Sequence, residues 1–165
     1  MKHIELKEYK QSDLLAYWIN DFSNYHDNER SFDISKSGRY KRGTIIKVNL
    51  GFNIGNELGG LHYCVVLNKN DNLKSGTLNV LPLTSKKENK TYPYFCVNLG
   101  TELYDKINQN DTSVSPKESI GLIHQITTIS KQRIFNDITL KRIRLSDDKL
   151  DLIDKKISEF LIKNK

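Results

Sequence analysis

The chain has 165 residues, of which 37% are hydrophobic and 28% are charged, and this predicts one globular domain with a buried core and at most one appended element. No apolar run approaches the roughly 20 residues that a membrane helix needs, and residues 1–10 lack a signal-peptide core, so we expect a cytoplasmic protein without membrane contact. The formal net charge is +6, and a basic protein suits a polyanionic partner such as nucleic acid.

The cysteines and histidines show no pattern that is typical of metal binding. Cys64 and Cys96 are the only two cysteines, and each stands in an apolar stretch, where small reduced thiols are common. The four histidines form no HExxH motif, and the chain contains no CxxC pair. We therefore predict neither a metal nor another cofactor.

The first forty residues predict a helix followed by a linker. Ser12 is the expected N-cap, and apolar side chains follow it at helical spacing. They are Leu15, Trp18, Ile19, Phe22 and Tyr25. Residues 35–42 mix serine, glycine and basic residues without a clear period, which is typical of a linker. We interpret residues 1–40 as an N-terminal helical extension and residues 41–165 as the main domain.

The main domain begins with strand-like sequence. Short runs rich in Val, Ile, Tyr and Thr predict five strands, over residues 44–50, 63–68, 77–83, 94–99 and 120–127. Five short strands with no long helix between them favour an antiparallel, barrel-like sheet. Two long loops are expected, over 51–60 and 100–117, and the four glycines of the first allow close approach to a ligand.

The end of the chain predicts an amphipathic helix packed on this sheet. Ser146 is the expected N-cap, and Asp147 and Asp148 would lie at the positive end of the helix dipole. The apolar stripe consists of Leu150, Ile153, Ile157, Phe160 and Leu161. The sequence thus predicts a mostly β domain with helices, of the α+β class.

Three sequence blocks resemble, in order, the signature blocks of the MazF/PemK toxin family. They are RGTIIKVNLGFNIGNELGG (42–60), LNVLPLTS (78–85) and HQITTISKQRI (124–134), and with the C-terminal helix the resemblance extends to about residue 162. It implies an SH3-like small barrel of the MazF/PemK/CcdB type that forms a homodimer, cuts single-stranded RNA at short motifs, and is inhibited by a cognate antitoxin. Residues 1–40 fall outside it.

The resemblance also implies a reaction. In this family the ribose 2′-hydroxyl attacks the adjacent phosphate, which requires a base for the 2′-oxygen, an acid for the departing 5′-oxygen and donors for the phosphorane charge. A divalent metal is unnecessary. DNA cannot react, because it lacks the 2′-hydroxyl.

By resemblance, the loop GNELGG (55–60) binds the substrate. Relatives usually have a GSEQGG-like loop there that folds over the RNA, and the residues carried over are Asn56, Glu57, Gly59 and Gly60. Asn56 replaces a serine and can still donate a hydrogen bond. The alternative is a plain glycine hairpin turn.

Thr84 and Ser85 match the family's hydroxyl pair at the cleavage site. Thr84 is expected to donate to the scissile phosphate as a catalytic residue, while Ser85, Lys86 and Gln125 are expected to bind the substrate. The alternative for Thr84 and Ser85 is a strand-ending cap, since such hydroxyls often bond to local backbone.

Two histidines mark where this chain departs from the family. His62 stands where relatives usually have a catalytic arginine, and His124 stands where many have a carboxylate. Because histidine titrates near neutral pH, one ring can be a neutral base while the other is a charged acid. The hypothesis is that His62 and His124 form this pair, and the alternative is that they are structural.

Two other functions are compatible with such a fold. CcdB-like toxins bind DNA gyrase without catalysis, but their aromatic and glycine-containing tail is unlike residues 161–165 here. The other alternative is a catalytically inactive relative that still binds RNA or protein.

Overall fold

Three α-helices and a seven-stranded sheet make up the part of the chain that the computed structural model describes, namely residues 2–109, 115–136, 140 and 143–162. The helices are α1 (Lys2–Asn28), α2 (Glu102–Asn108) and α3 (Asp147–Ile157). The strands are β1 (Ile45–Asn49), β2 (Leu61–Val66), β3 (Thr77–Ser85), β4 (Cys96–Gly100), β5 (Ser119–Leu122), β6 (Thr127–Ser130) and β7 (Ile134–Phe135). None of the described helices is long and apolar enough to cross a membrane.

The sheet is antiparallel and curls around β3. Its strand order is β4-β5-β3-β2-β1-β7, and β6 also pairs with β3. β3 is the longest strand: it pairs with β2 along one edge, and with β6 and then β5 along the other. The structure confirms the predicted fold class, a small SH3-like barrel that is mostly β with an added helix at each end of the described chain.

The strands β1, β2 and β3 contribute buried side chains to both faces of the sheet. On one face, Ile45, Val65 and Leu81 pack in a cluster that includes residues of α2 and α3. On the other face, Val48 and Val80 belong to a second cluster, together with Leu58 from the glycine-rich loop. Burial on both sides explains why these strands read as nearly continuous apolar runs.

The predicted strand over 120–127 was wrong, because a turn interrupts it. β5 and β6 follow the same edge of β3, but Ile123–Gln125 forms a 3-10 turn between them. Val80 faces Thr127 and Leu83 faces Gly121, so a step of three residues in β3 is matched by a step of six in the other segment. The residues of the turn therefore have no partner in the ladder with β3, and His124 is one of them.

Pro82 occupies the part of β3 that faces this turn. The carbonyl oxygens of Asn79 and Leu83 point toward β2: the first accepts from the amide of Leu67 and the second from the His62 ring. Because the backbone groups of successive strand residues point to alternate edges, the nitrogen of Pro82 points to the edge away from β2. A proline nitrogen has no hydrogen to donate. It therefore fits the one stretch of that edge where the ladder is interrupted.

Several other boundaries differ from the predictions. α1 begins at Lys2, so Ser12 lies inside the helix and is not its cap. The predicted loop over 100–117 contains α2, whose Leu103 and Ile107 are buried, and the predicted linker begins within a 3-10 turn, Ile34–Ser37.

The C-terminal helix is confirmed, with two differences. Ser146 occupies the predicted N-cap position of α3, but its hydroxyl donates to the Glu102 carboxylate and makes no capping bond to the helix. α3 buries Leu150 and Ile153 as expected. Leu161 lies beyond α3 in a π-helical turn and is 55% exposed, so it does not extend the buried stripe.

Candidate active site

The glycine-rich loop between β1 and β2 is closed by backbone contacts. The amide of Leu50 donates to the carbonyl oxygen of Gly60 at 2.8 Å, and the amide of Gly60 donates to that of Gly51 at 2.6 Å. A Cβ atom added to Gly59 would lie 2.6 Å from the Gly51 oxygen, and Gly60 has a φ of +81°. Glycine is therefore required where the two arms meet.

Gln125 joins this loop to the turn between β5 and β6. Its Nε2 donates to the carbonyl oxygen of Asn56 at 3.1 Å, and its Oε1 accepts from the amide of Leu58 at 3.1 Å. Between loop and turn lies a cleft of about 330 Å³, whose lining includes Glu57, His124 and Gln125. We call it the catalytic cleft, after the role that we propose for it below. It brings together three of the residues that the sequence singled out.

His124 projects from the turn at the rim of the catalytic cleft. The side chain is exposed, and its ring lies edge-on to Phe95 with 4.4 Å between centroids. Partial desolvation lowers the pKa of His124 below its usual value. The neutral imidazole is therefore the favoured form of His124 at neutral pH.

His62 is fixed on β2 by a bond to β3. Its Nδ1 lies 2.9 Å from the carbonyl oxygen of Leu83, and because a carbonyl oxygen only accepts, Nδ1 carries the hydrogen of this bond. In the neutral ring the lone pair is then on Nε2, and in the charged ring Nε2 also donates. Nε2 is thus the nitrogen through which His62 can exchange a proton.

His62 lies next to the segment of β3 that carries Thr84. The ladder between β2 and β3 ends with Cys64 opposite Pro82, and beyond it the His62 ring contacts the carbonyl oxygen of Leu83, the residue before Thr84. Directly opposed residues share a face of the sheet, and Pro82 on this face lines the catalytic cleft. Among the described residues His62 and Thr84 do not line that cleft, but by alternation along their strands they share the sheet face of Cys64 and Pro82.

Ser85 and Lys86 are engaged elsewhere. The hydroxyl of Ser85 is 2.6 Å from that of Tyr104 on α2, which places its side chain on the opposite face from Thr84. Lys86 forms an exposed ion pair with Glu118 at 2.8 Å. The structure therefore separates these two side chains from the catalytic cleft.

One functional candidate, Arg133, was missed by the sequence analysis. Arg133 lines the catalytic cleft, donates to the Asn49 carbonyl oxygen at 2.8 Å, and lies 5.3 Å from the ring centroid of Trp18 on α1. Burial lowers the pKa of its guanidinium. Arg133 stands in the third sequence block, but no local signal indicates that a residue of α1 packs on it.

No metal site is apparent in the described part of the chain. Those residues contain no group of three or more His, Cys, Asp or Glu side chains that could hold an ion. Both cysteines are free thiols. Cys64 is buried as expected, and desolvation raises its pKa to about 12, whereas Cys96 is only partly buried.

Comparison with known proteins identifies the family. Two solved structures share the fold: an endoribonuclease in complex with its cognate antitoxin from a mycobacterial species (TM-score 0.51, 13% identity, 76% of this chain and 99% of that chain), and MazF from Deinococcus radiodurans (TM-score 0.51, 20% identity, 75% and 97%). No curated protein sequence matches. The family model of PemK-like, MazF-like toxins of type II toxin-antitoxin systems matches residues 41–161. The chain therefore belongs to the PemK-like, MazF-like toxin family.

Proposed function

We propose that this toxin is an endoribonuclease that cuts single-stranded RNA, including mRNA, at short motifs without a metal, and that a cognate antitoxin inhibits it. The observation that carries the proposal is the bond between the His62 ring and the carbonyl oxygen of Leu83, the residue before Thr84, in the strand whose Pro82 lines the catalytic cleft. Family membership supports the reaction class. The mycobacterial relative, described with its cognate antitoxin, supports the partner.

His62 is the proposed acid and cation. It occupies the position of the family's usual arginine, and its bond from Nδ1 to the Leu83 oxygen holds the ring against β3. Nε2–H is then available to protonate the departing 5′-oxygen or to bond to the phosphorane. The hydroxyl of Thr84 donates to the same phosphate.

His124 is the proposed base. Its lowered pKa keeps the ring neutral, and a neutral imidazole can accept the proton of the 2′-hydroxyl. Across the catalytic cleft, the exposed Asn56 and Glu57 and the backbone of Gly59 and Gly60 are proposed to contact the RNA.

Gln125, Ser85 and Lys86 have less direct roles in the proposal. Gln125 positions the loop through its two bonds. Lys86 is proposed to contact phosphates that flank the cut. Its ion pair with Glu118 is exposed to solvent and therefore weak, so a phosphate can replace Glu118. Ser85 holds the end of β3 to α2 through Tyr104 and supports Thr84 instead of binding RNA itself.

The test uses purified protein and labelled single-stranded RNA in excess chelator. We expect fragments with 5′-hydroxyl ends and no cutting of the same sequence as DNA. A DNA gyrase supercoiling assay run in parallel tests the CcdB-like alternative. Inhibition of gyrase without RNA cleavage would replace the proposal with that alternative, and inactivity in both assays would favour a non-catalytic relative.

A further inference from the structure

Arg133 is the only lysine or arginine among the described residues that line the catalytic cleft. The other titratable side chains of this lining are Glu57 and His124. A phosphate that enters the cleft needs positive charge nearby, and a guanidinium is always charged and offers planar N–H groups that match phosphate oxygens. Arg133 is therefore the residue of this cleft that is best suited to bind a phosphate of the substrate.

Two contacts hold the guanidinium of Arg133 in place. Its Nε donates to the carbonyl oxygen of Asn49 at 2.8 Å, and its Cζ lies 5.3 Å from the ring centroid of Trp18 on α1, within the range of a cation–π contact. Neither contact uses the N–H groups of Nη1 and Nη2, and neither neutralises the charge. Because burial lowers the pKa of this guanidinium, an anion beside it would offset the cost of desolvation.

α1 also contacts residues 49–51, where the glycine-rich loop leaves β1. An added Cβ atom at Gly51 would lie 2.7 Å from the ring of Trp18, so this ring packs directly on the loop. Three residues further along α1, and hence on the same side of the helix, the carboxylate of Asp21 accepts from Nδ2 of Asn49 at 2.9 Å. Oδ1 of Asn49 accepts from the amide of Gly51 at 3.0 Å. Asn49 thus connects α1, the loop and Arg133.

We propose that α1 completes the active site, with Trp18 as a positioning residue that holds the Arg133 guanidinium where it binds a phosphate of the RNA. His62 supplies positive charge only while its ring is protonated, whereas Arg133 stays charged across the neutral range. The family match begins at residue 41, so this positioning residue lies outside the matched domain. The inference rests on the proposed function for its substrate.

The alternative role of α1 is to stabilise the fold without affecting the reaction. Trp18 fills space on Gly51, and another large apolar side chain preserves part of that packing. Only an aromatic side chain also presents a π face to the guanidinium. Two substitutions therefore separate these roles: Trp18→Phe keeps a ring, and Trp18→Leu keeps apolar packing alone.

The test measures single-turnover cleavage of a defined RNA at saturating protein, with the folding of each variant checked by circular dichroism. We expect Arg133→Gln to slow cleavage by about a hundredfold, as the loss of a donor to transition-state charge does. Trp18→Leu should slow it by about tenfold, because the guanidinium remains but is misplaced, and Trp18→Phe should restore most of the rate. Equal rates for Trp18→Leu and Trp18→Phe would overturn the proposal.

A double variant shows whether Trp18 acts through Arg133. If it does, Trp18→Leu costs little once the guanidinium is gone, so the double variant should cut within about threefold of the rate of Arg133→Gln alone. Additive losses, about a thousandfold in total, would give Trp18 an effect independent of Arg133 and would overturn the proposal. The control on the same helix is Ile19→Ala, a side chain that is 60% exposed and does not line the catalytic cleft, and it should cut at the wild-type rate.

The NMR signal of the Arg133 Nε–H group, identified by its loss in Arg133→Gln, gives a readout that does not depend on activity. The bond to Asn49 should slow its exchange with water, and the ring of Trp18 should shift its resonance. We expect Trp18→Leu to remove the ring shift and to speed the exchange, and Ile19→Ala to change neither. An unchanged signal in Trp18→Leu would show that Trp18 does not hold the guanidinium.

Binding of the same RNA with 2′-O-methyl groups, which block the attacking hydroxyl, separates this inference from the proposed function. If the wild type cuts no RNA but Arg133→Gln and Trp18→Leu weaken binding without being additive, the function fails and the positioning role stands. If the wild type cuts RNA but Trp18→Leu cuts and binds as Ile19→Ala does, the function stands and the positioning role fails.

Discussion

The side-chain amide of Gln125 donates to the carbonyl oxygen of Asn56 across 69 residues of sequence. This bond ties the turn that carries His124 to the glycine-rich loop, and the Gln125 oxygen accepts from the amide of Leu58 in the same loop. The position of the loop and the position of His124 are therefore coupled. A change in either element is transmitted to the catalytic cleft between them.

Gln125→Ala is expected to release the loop. Two neutral hydrogen bonds are lost, each with a net contribution of about 0.5–1.5 kcal/mol, so the amide of Leu58 should exchange its hydrogen faster. Misplacement of the loop should slow RNA cleavage by about ten- to a hundredfold. The control for exchange is Gln132→Ala, a glutamine in the 3-10 turn Lys131–Arg133. Equal Leu58 protection in both variants would contradict the role of Gln125.

Trp18 and Gly51 should be energetically coupled. A Cβ atom at Gly51 would lie 2.7 Å from the Trp18 ring, and the φ of Gly51 is +89°. Gly51→Ala therefore carries a steric cost and a dihedral cost of about 1–2 kcal/mol. Trp18→Ala removes only the steric part, so we expect a coupling of about 1 kcal/mol in a double-mutant cycle of urea unfolding. Additive effects would show that α1 does not pack on the loop.

The lowered pKa of His124 has a defined effect on stability. As pH falls below about 6.5, the unfolded chain binds this proton before the folded chain does, so His124 lowers the free energy of unfolding as pH decreases. His124→Asn should reduce that acid sensitivity. In an NMR titration the His124 ring should have a pKa below that of a peptide histidine, and a value at or above it would contradict the desolvation by its surroundings.

His124 should also set one limb of the activity profile. As the base, it must be neutral, so cleavage should fall at acidic pH as the ring becomes protonated. His124→Ala should reduce the single-turnover rate by about two to four orders of magnitude and remove this acidic limb. A variant that cuts at the wild-type rate would leave His124 with a structural role only.

We expect a homodimer. The resemblance implies one, and outside α1 several large apolar side chains of the described chain are more than half exposed: Ile54, Tyr94, Phe135, Leu161 and Ile162. Multi-angle light scattering at micromolar concentration should give twice the chain mass of 19.1 kDa. A monomer that still cuts RNA would contradict this prediction.

The sequence predicted the elements whose signals are local. β1 and β3 coincide with apolar runs bounded by turn residues, and α3 follows Ser146 as its spacing indicates. α2 was missed although Leu103, Tyr104 and Ile107 have helical spacing, because seven residues give little periodicity and the helix depends on burying that face.

The site was less predictable because it is assembled by distant contacts. IGLIHQIT (120–127) reads as one strand, and the turn within it is selected by pairing with β3 on both sides and by the bond from Gln125 to the loop. Nothing local links Trp18 to Gly51 or Arg133. The sequence predicted roles for His62, Thr84, Gln125 and the loop, while the structure added the contacts that Gln125 and Arg133 make.

Single-turnover cleavage of a defined RNA by wild type and His62→Ala, in excess chelator and across pH, tests the central claim most directly. His26→Ala, at an exposed position on α1, is the matched histidine control, and circular dichroism checks folding. We predict a bell-shaped profile for the wild type and for His26→Ala, and a loss of about two to four orders of magnitude for His62→Ala. Wild-type cleavage by His62→Ala, or cleavage only after magnesium is restored, would contradict the account.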